Sequence, residues 1–174
     1  MLDEFKDPIY LYLTNIPRVL RRIANALPQG IQLRAARLPA DEDLIADLYN
    51  QAFEDPQSDK ATPQEVLRYA NHPSLAGACA YLAFWGKQAI GFGVARLDLP
   101  SSGEIRRRGA IELLAVLPTF QHRGVGRALV RTLLDWLSAQ GATLVSACTH
   151  DAGVASVLQR YGFRRRLPWL ARKI

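Results

Sequence analysis

The sequence predicts an α/β fold of the α+β kind, in which a mixed sheet carries helices on both faces. Two patterns and one size argument lead there. In mid-chain, ACAYLAFW and AIGFGVARLDL are separated only by GKQ and read as a hairpin. From residue 110 onward, strand-like runs alternate with helical ones: AIELLAVL, VGRALVRTLLDWLSAQ, ATLVSACTH and AGVASVLQRY. The 174 residues suit one domain that buries about two thirds of its extended surface, and no repeat, low-complexity stretch or long linker divides them.

Taken in order, PIYLYL fits a strand or a helical turn equally well. NIPRVLRRIANAL places Ile16, Val19, Leu20, Ile23 and Leu27 on one helical face and Arg18, Arg21, Arg22 and Asn25 opposite, and Pro28 and Gly30 stop it. IQLRAAR then alternates as a half-buried strand. Pro39 with Asp41 opens a helix through DEDLIADLYNQAF, and Thr62, Pro63 and Glu65 open another that ends at His72 and Pro73. The hairpin follows, then a polar loop from Pro100 to Gly103 and an arginine run. The alternating strands and helices end at Gly162, and FRRRLPWLARKI reads as an edge strand broken by Pro168. The expected division is a helical N-terminal extension over 1–29 and a main domain over 30–174.

Formal charge is +6, concentrated in Arg18, Arg21 and Arg22, in Arg106 to Arg108, and in Arg164 to Arg166. An excess of this kind suits an anionic partner or a solvated surface. The clusters lack interleaved aromatics and accompany no helix-turn-helix or RNA-recognition signature, so nucleic acid is not the expected partner. Cys79 and Cys148 form no CxxC pair and read as core thiols, and the three histidines have no metal-ligand spacing. Asp3, Glu4 and Asp7 stand where a signal peptide has its basic start, and no apolar run is long enough to span a bilayer. The expectation is a cytoplasmic protein with no metal and no membrane partner.

Residues 118–129 read PTFQHRGVGRAL, and the apolar stripe Leu129, Val130, Leu133, Leu134 and Leu137 puts the first helical turn at Gly124 to Arg127. Unpaired N–H groups and bare glycines at a helix start suit a phosphate. No GK[ST] follows, which excludes a Walker site, and Leu129 stands where a dinucleotide fingerprint needs its third glycine. What remains is Q-x-x-G-x-G on a strand-to-helix turn.

With its preceding strand, IELLAVLPTFQHRGVGRALVRTLLDWL resembles the acyl-coenzyme A signature of the GNAT superfamily of N-acetyltransferases, and VLQRYGFRRR resembles that family's closing helix and Gly-Phe turn. The resemblance covers about residues 30–174. It implies a mostly antiparallel sheet splayed between strands 4 and 5 of the family's sheet, with acetyl-CoA as co-substrate. The pyrophosphate would be held by the amides of Gln121, His122, Arg123, Gly124, Val125, Gly126 and Arg127, and the pantetheine would pair with main chain at Leu114, Ala115 and Val116. Gly124→Asp is then expected to abolish coenzyme binding with the fold intact.

Acetyl transfer to an amine needs a proton acceptor, and Glu112 is the only ionisable residue in AIELLAVL. In a regular strand it shares a side with Leu114 and Val116. It reads as a general base or as a surface partner for an arginine from Arg106 to Arg108. Many relatives place a tyrosine, as acid for the leaving thiolate, where this chain has Leu158. Tyr161 is the substitute candidate, with Cys148, His150 or solvent as others. The acceptor is a small-molecule or peptide amine, entering between the loop at 53–62 and the segments after residues 99 and 167, where Arg106 to Arg108 and Arg164 to Arg166 would repel polyamines and aminoglycosides and tolerate acidic acceptors, or Glu54, Asp55 and Asp59 line the same rim. Only eleven residues follow Phe163, too few for the family's customary last two strands. The N-terminal segment or a second subunit of a homodimer is left to fill the gap. A non-catalytic acyl-CoA-binding module is the rival function.

Overall fold

Local alternation and turn residues set the elements, and tertiary pairing decides where they go. The computed structural model describes residues 8–22, 26–53, 59–68, 75–99 and 107–166. In chain order they form β1 (Ile9–Thr14), α1 (Ile16–Arg22), β2 (Ile31–Ala35), α2 (Glu42–Ala52), α3 (Pro63–Val66), β3 (Leu75–Trp85), β4 (Gln88–Asp98), β5 (Arg108–Val116), a 3₁₀ turn (Pro118–Phe120), α4 (Val125–Ala139), β6 (Leu144–Thr149), α5 (Ala152–Arg160) and β7 (Arg164–Arg166). Several expected features lie outside the described residues: Ile23 and Asn25 of the first helix, the stop at His72 and Pro73, the loop Pro100 to Gly103 with Arg106, and Pro168.

The sheet runs β2-β3-β4-β5-β6-β1-β7, and every neighbouring pair is antiparallel except β5 with β6. The mixed, mostly antiparallel sheet is as the sequence predicts. Because the N-terminal strand counts as β1, the expected splay falls between β5 and β6. PIYLYL resolves as a strand, and it does not stand apart from the main domain. Ile9 to Thr14 pair with Thr149 to Leu144 on one side, and Tyr10 to Tyr12 pair with Arg166 to Arg164 on the other. Leu11 and Leu13 are buried below β1, and α1 is tied to α4 by Arg131 Nη1, which donates to the Leu20 carbonyl at 2.9 Å. Strand β1, from the chain's own N-terminal segment, thus fills the slot beside β7.

Two apolar clusters flank the sheet. One face gathers Leu129, Leu133, Leu134 and Leu137 of α4 with Leu11, Leu13, Ile111, Leu114 and Leu158. The other gathers Ile45 and Leu48 of α2 and Val66 of α3 with Leu82, Phe92, Ala115 and Leu117. Each such side chain contributes about 1.5–3 kcal/mol by leaving water. Helix α4 lies so close to β4 that a Cβ on Gly93 would come within 2.8 Å of Leu133 Cδ1.

Asp41 opens α2 where expected, but its carboxylate does not cap the helix. It accepts from Arg34 at 2.7 and 2.9 Å and from the Arg37 amide at 2.6 Å. The Arg34 hydrogen bonds, then that amide, hold the Asp41 carboxyl down to about 2. A folded-state value below the unfolded one gives stability that is complete above about pH 4 and fades as pH falls toward 2. Thermal melts of Asp41→Asn should therefore show a shallower fall in melting temperature across that window than the wild type.

Candidate active site

The strand pairing opens a gap. Strand β5 pairs with β6 only from Arg108 to Ile111, whereas its pairing with β4 continues to Val116. Past Ile111 one edge of β5 is free. The Leu117 amide donates to Ile90 at 2.8 Å, and a Cβ on Gly91 would lie 2.7 Å from the Ala115 carbonyl, so Ala115 and Leu117 face β4. By alternation Leu114 and Val116 turn their main-chain groups to the gap. Gln121 marks the same direction, its Nε2 donating to the Val116 carbonyl at 3.0 Å. Of the three positions expected to pair with pantetheine, two present their main chain to the open edge.

Beyond the 3₁₀ turn, the chain reverses through His122 at φ 60 and Gly124 at φ 85, and α4 begins at Val125 with no side chain capping it. The left-handed geometry at Gly124 suits glycine. The first intrahelical bond runs from the Ala128 amide to the Gly124 carbonyl at 3.0 Å, so the amides of Val125, Gly126 and Arg127 are the donors the helix itself does not use. Gly126 and Arg127 line a cleft of about 530 Å³, together with six more of the ten expected coenzyme residues: Leu114, Ala115, Val116, Gln121, His122 and Gly124. Val125 instead anchors the turn in the core, and Arg123 lies over the Phe120 ring, 5.4 Å from its centroid. The opposite wall is α5, through Gly153, Ser156, Val157 and Arg160, which sequence reasoning missed. A signal existed in the small residues Gly153 and Ser156, one helical turn apart, with Arg160 a turn further along.

Glu112 differs from expectation in its direction. Val94 stands opposite Leu113 and Ala95 opposite Ile111, so Glu112 is an extra residue in β5, a β-bulge. Ile111 and Leu114 belong to the α4-side cluster, whereas Glu112 bonds Arg96, whose neighbours Ala95 and Leu97 also pack toward α4. Arg96 and Glu112 therefore occupy the α2 side, and Glu112 does not share a side with Leu114 and Val116. The regular alternation assumed for the strand fails at the bulge. Arg96 also bonds Asp98, so among the described residues a cation of the neighbouring strand β4 partners Glu112.

Glu112 also lines a second pocket, of about 130 Å³, with Tyr49, Phe53, Cys148, Thr149 and Leu158. Phe53, Leu114 and Val154 border both this pocket and the cleft, so the two meet at Leu114.

Tyr161 is not brought to Glu112. It is buried, donates its hydroxyl to the Arg127 carbonyl at 2.6 Å, and lines a different pocket with Pro28 and Arg131. Burial pushes its phenol up, opposed by the Arg127 charge. Leu158, at the family's tyrosine position, is buried in the wall of the Glu112 pocket. Cys148 is exposed there rather than in the core, its thiol pushed up first by burial and then by the Glu112 charge. Cys79 is the thiol that burial pushes up to about 12.

Arg107, Arg108, Arg164 and Arg165, the described arginines of the two later clusters, sit elsewhere. Arg107 Nη1 donates to the Gln140 carbonyl at 2.9 Å, near the C-terminal end of α4. Arg164 and Arg165 are exposed on the edge strand. Among the described residues neither Arg107, Arg108, Arg164 nor Arg165 lines the cleft or the Glu112 pocket, and no helix is long and apolar enough to cross a membrane.

Residues 43–163 match the model of the acetyltransferase (GNAT) family. Two curated relatives are mycothiol acetyltransferases. That of Thermobispora bispora is 28% identical over 145 residues, covering 82% of this chain and 49% of the relative. That of Salinispora tropica is 32% identical over 145 residues, covering 80% and 46%. The chain thus spans about half the length of the curated relatives it matches. A crystal structure of an N-acetyltransferase from Sphaerobacter thermophilus superposes with a TM-score of 0.66 at 17% identity, over 91% of this chain and 48% of that one, and shares the fold.

Proposed function

The chain belongs to the acetyltransferase (GNAT) family, and from that premise we propose that it transfers an acetyl group from acetyl-CoA to a primary amine by direct attack, with both substrates bound. The observation that carries this reading is continuity: an uncapped helix start, an open strand edge and the Glu112 pocket follow one another along a single cleft. Their chemistry matches the three parts of an acyl-coenzyme A: a diphosphate, an amide-bearing arm and a thioester.

The Gln121 amide already donates to the Pro118 carbonyl at 3.3 Å, so the amides from His122 through Arg127 are left to take the pyrophosphate. Leu114 and Val116 offer an edge to which the pantetheine adds like a strand. That leaves the thioester near Leu114, where the two pockets meet. Glu112 accepts the proton of the attacking amine through water, with Arg96 fixing its carboxylate. Leu158 has no proton to give and Tyr161 is committed to the Arg127 carbonyl, which leaves solvent, Cys148 in the pocket wall or His150 to protonate the leaving thiolate.

Thiol release from acetyl-CoA, followed over a panel of amines, tests the proposal. Glu112→Gln should lower kcat by about a hundredfold and flatten its pH profile while calorimetric affinity for acetyl-CoA holds. Tyr161→Phe should leave kcat within a few fold. Stoichiometric binding without turnover on any amine would instead support a non-catalytic acyl-CoA-binding module, the reading that Leu158 in the tyrosine position favours.

A further inference from the structure

We infer that the acceptor is a compact apolar monoamine, about the size of a benzene ring, and that the site discriminates against polycationic and acidic amines. The inference rests on the acetyl-transfer reading, since it names what occupies the pocket beside Glu112. That pocket holds about 130 Å³. For scale, an apolar protein cavity of about 150 Å³ accommodates benzene. Tyr49, Phe53, Ile111, Leu113 and Leu158 give its walls a modest hydrocarbon majority beside Glu112, Cys148 and Thr149, and Tyr49 and Phe53 present rings 5.0 Å apart. A sugar amine carries more hydroxyls than those three polar residues can pair, and the remainder would face hydrocarbon, which opposes binding.

Charge narrows the class further. Glu112 is the one charged residue lining the pocket among those described, and behind it Arg96 is bonded to both Glu112 and Asp98. Among the described residues, two carboxylates and one guanidinium leave a net charge of −1, enough to attract a single ammonium. Among those residues a second ammonium meets no second lining carboxylate and has a guanidinium nearby, and an acceptor carboxylate meets only Arg96, which already serves two anions. Of the arginines from which acidic acceptors were expected, Arg107, Arg108, Arg164 and Arg165 do not line the two pockets.

The test compares thiol release with benzylamine and isopentylamine against spermidine, kanamycin and aspartate, with acetyl-CoA binding measured in parallel by calorimetry. Benzylamine and isopentylamine should show kcat/KM about tenfold or more above the other three. Leu158→Ala, which enlarges the pocket, should move preference toward 1-naphthylmethylamine with acetyl-CoA affinity unchanged. Leu158 is buried, so Tyr49→Ala on the half-buried face of α2 provides a second arm: it should raise KM for benzylamine about tenfold without altering acetyl-CoA affinity. A preference for spermidine, kanamycin or aspartate would overturn the inference and leave acetyl transfer standing. Acetyl-CoA binding with no turnover of any amine would overturn it as well, and failure to bind acetyl-CoA would remove both readings.

Discussion

Replacing Gly126 by Asp should weaken acetyl-CoA binding by about a hundredfold or more, with melting temperature nearly unchanged. The free protein has room for the new side chain: a Cβ at Gly126 meets only Val116 Cγ2, at 3.9 Å. An acidic residue in a first helical turn is favourable toward the helix dipole, so the uncomplexed fold should tolerate it. The same carboxylate would face the diphosphate at the same amides. Two unit charges about 4 Å apart interact by roughly 4 kcal/mol at an effective dielectric of 20, more than the roughly 2.7 kcal/mol that a hundredfold loss requires. Gly124, the residue the sequence alone recommends for this experiment, is the poorer probe. Its φ is 85, and a Cβ there would approach Pro28 Cγ to 3.2 Å, so backbone strain would mix with electrostatics. Calorimetry and thermal melts on Gly126→Asp separate the two effects, and unchanged affinity would remove the glycine turn from coenzyme binding.

Features set by neighbours in sequence were legible in it, and those set by distant strands were not. The stripe from Leu129 to Leu137 marks α4 because a 3.6-residue period needs only its own helix, and all five of its predicted residues are fully buried. Thr62 and Glu65 form the reciprocal capping box that their spacing implies, with the Glu65 carboxylate accepting from the Thr62 amide at 2.7 Å. PIYLYL is too short to declare its state, and its place depends on β6 and β7, both more than a hundred residues further along the chain. Glu112 was recognisable as the lone charge in an apolar strand, but its direction follows from the slip against Val94 and Ala95, which no pattern inside β5 reveals. Arg96 could have been paired with it, being the only cation in the hairpin arm AIGFGVARLDL that lies beside that strand.

Deleting residues 1–14 should abolish cooperative folding, although it removes a segment outside the family match that begins at residue 43. Strand β1 is an interior strand, bonded to β6 along six residues and to β7 along three. Losing Leu11 and Leu13 forfeits about 3–6 kcal/mol of apolar burial, and each ladder hydrogen bond left unmade adds about 1 kcal/mol or more. Domain stabilities of about 5–15 kcal/mol do not survive a loss of that size. Leu11→Ala should keep the fold while costing about 2–5 kcal/mol in denaturant titrations. Ile9 and Tyr10 pair with Thr149 and Cys148, the β6 residues that border the Glu112 pocket. Fraying in Leu11→Ala should therefore raise KM for the amine before acetyl-CoA affinity changes, because the glycine turn hangs from β5 and α4. A deletion protein that melts and binds acetyl-CoA like the full chain would show that β1 is an accessory to the sheet.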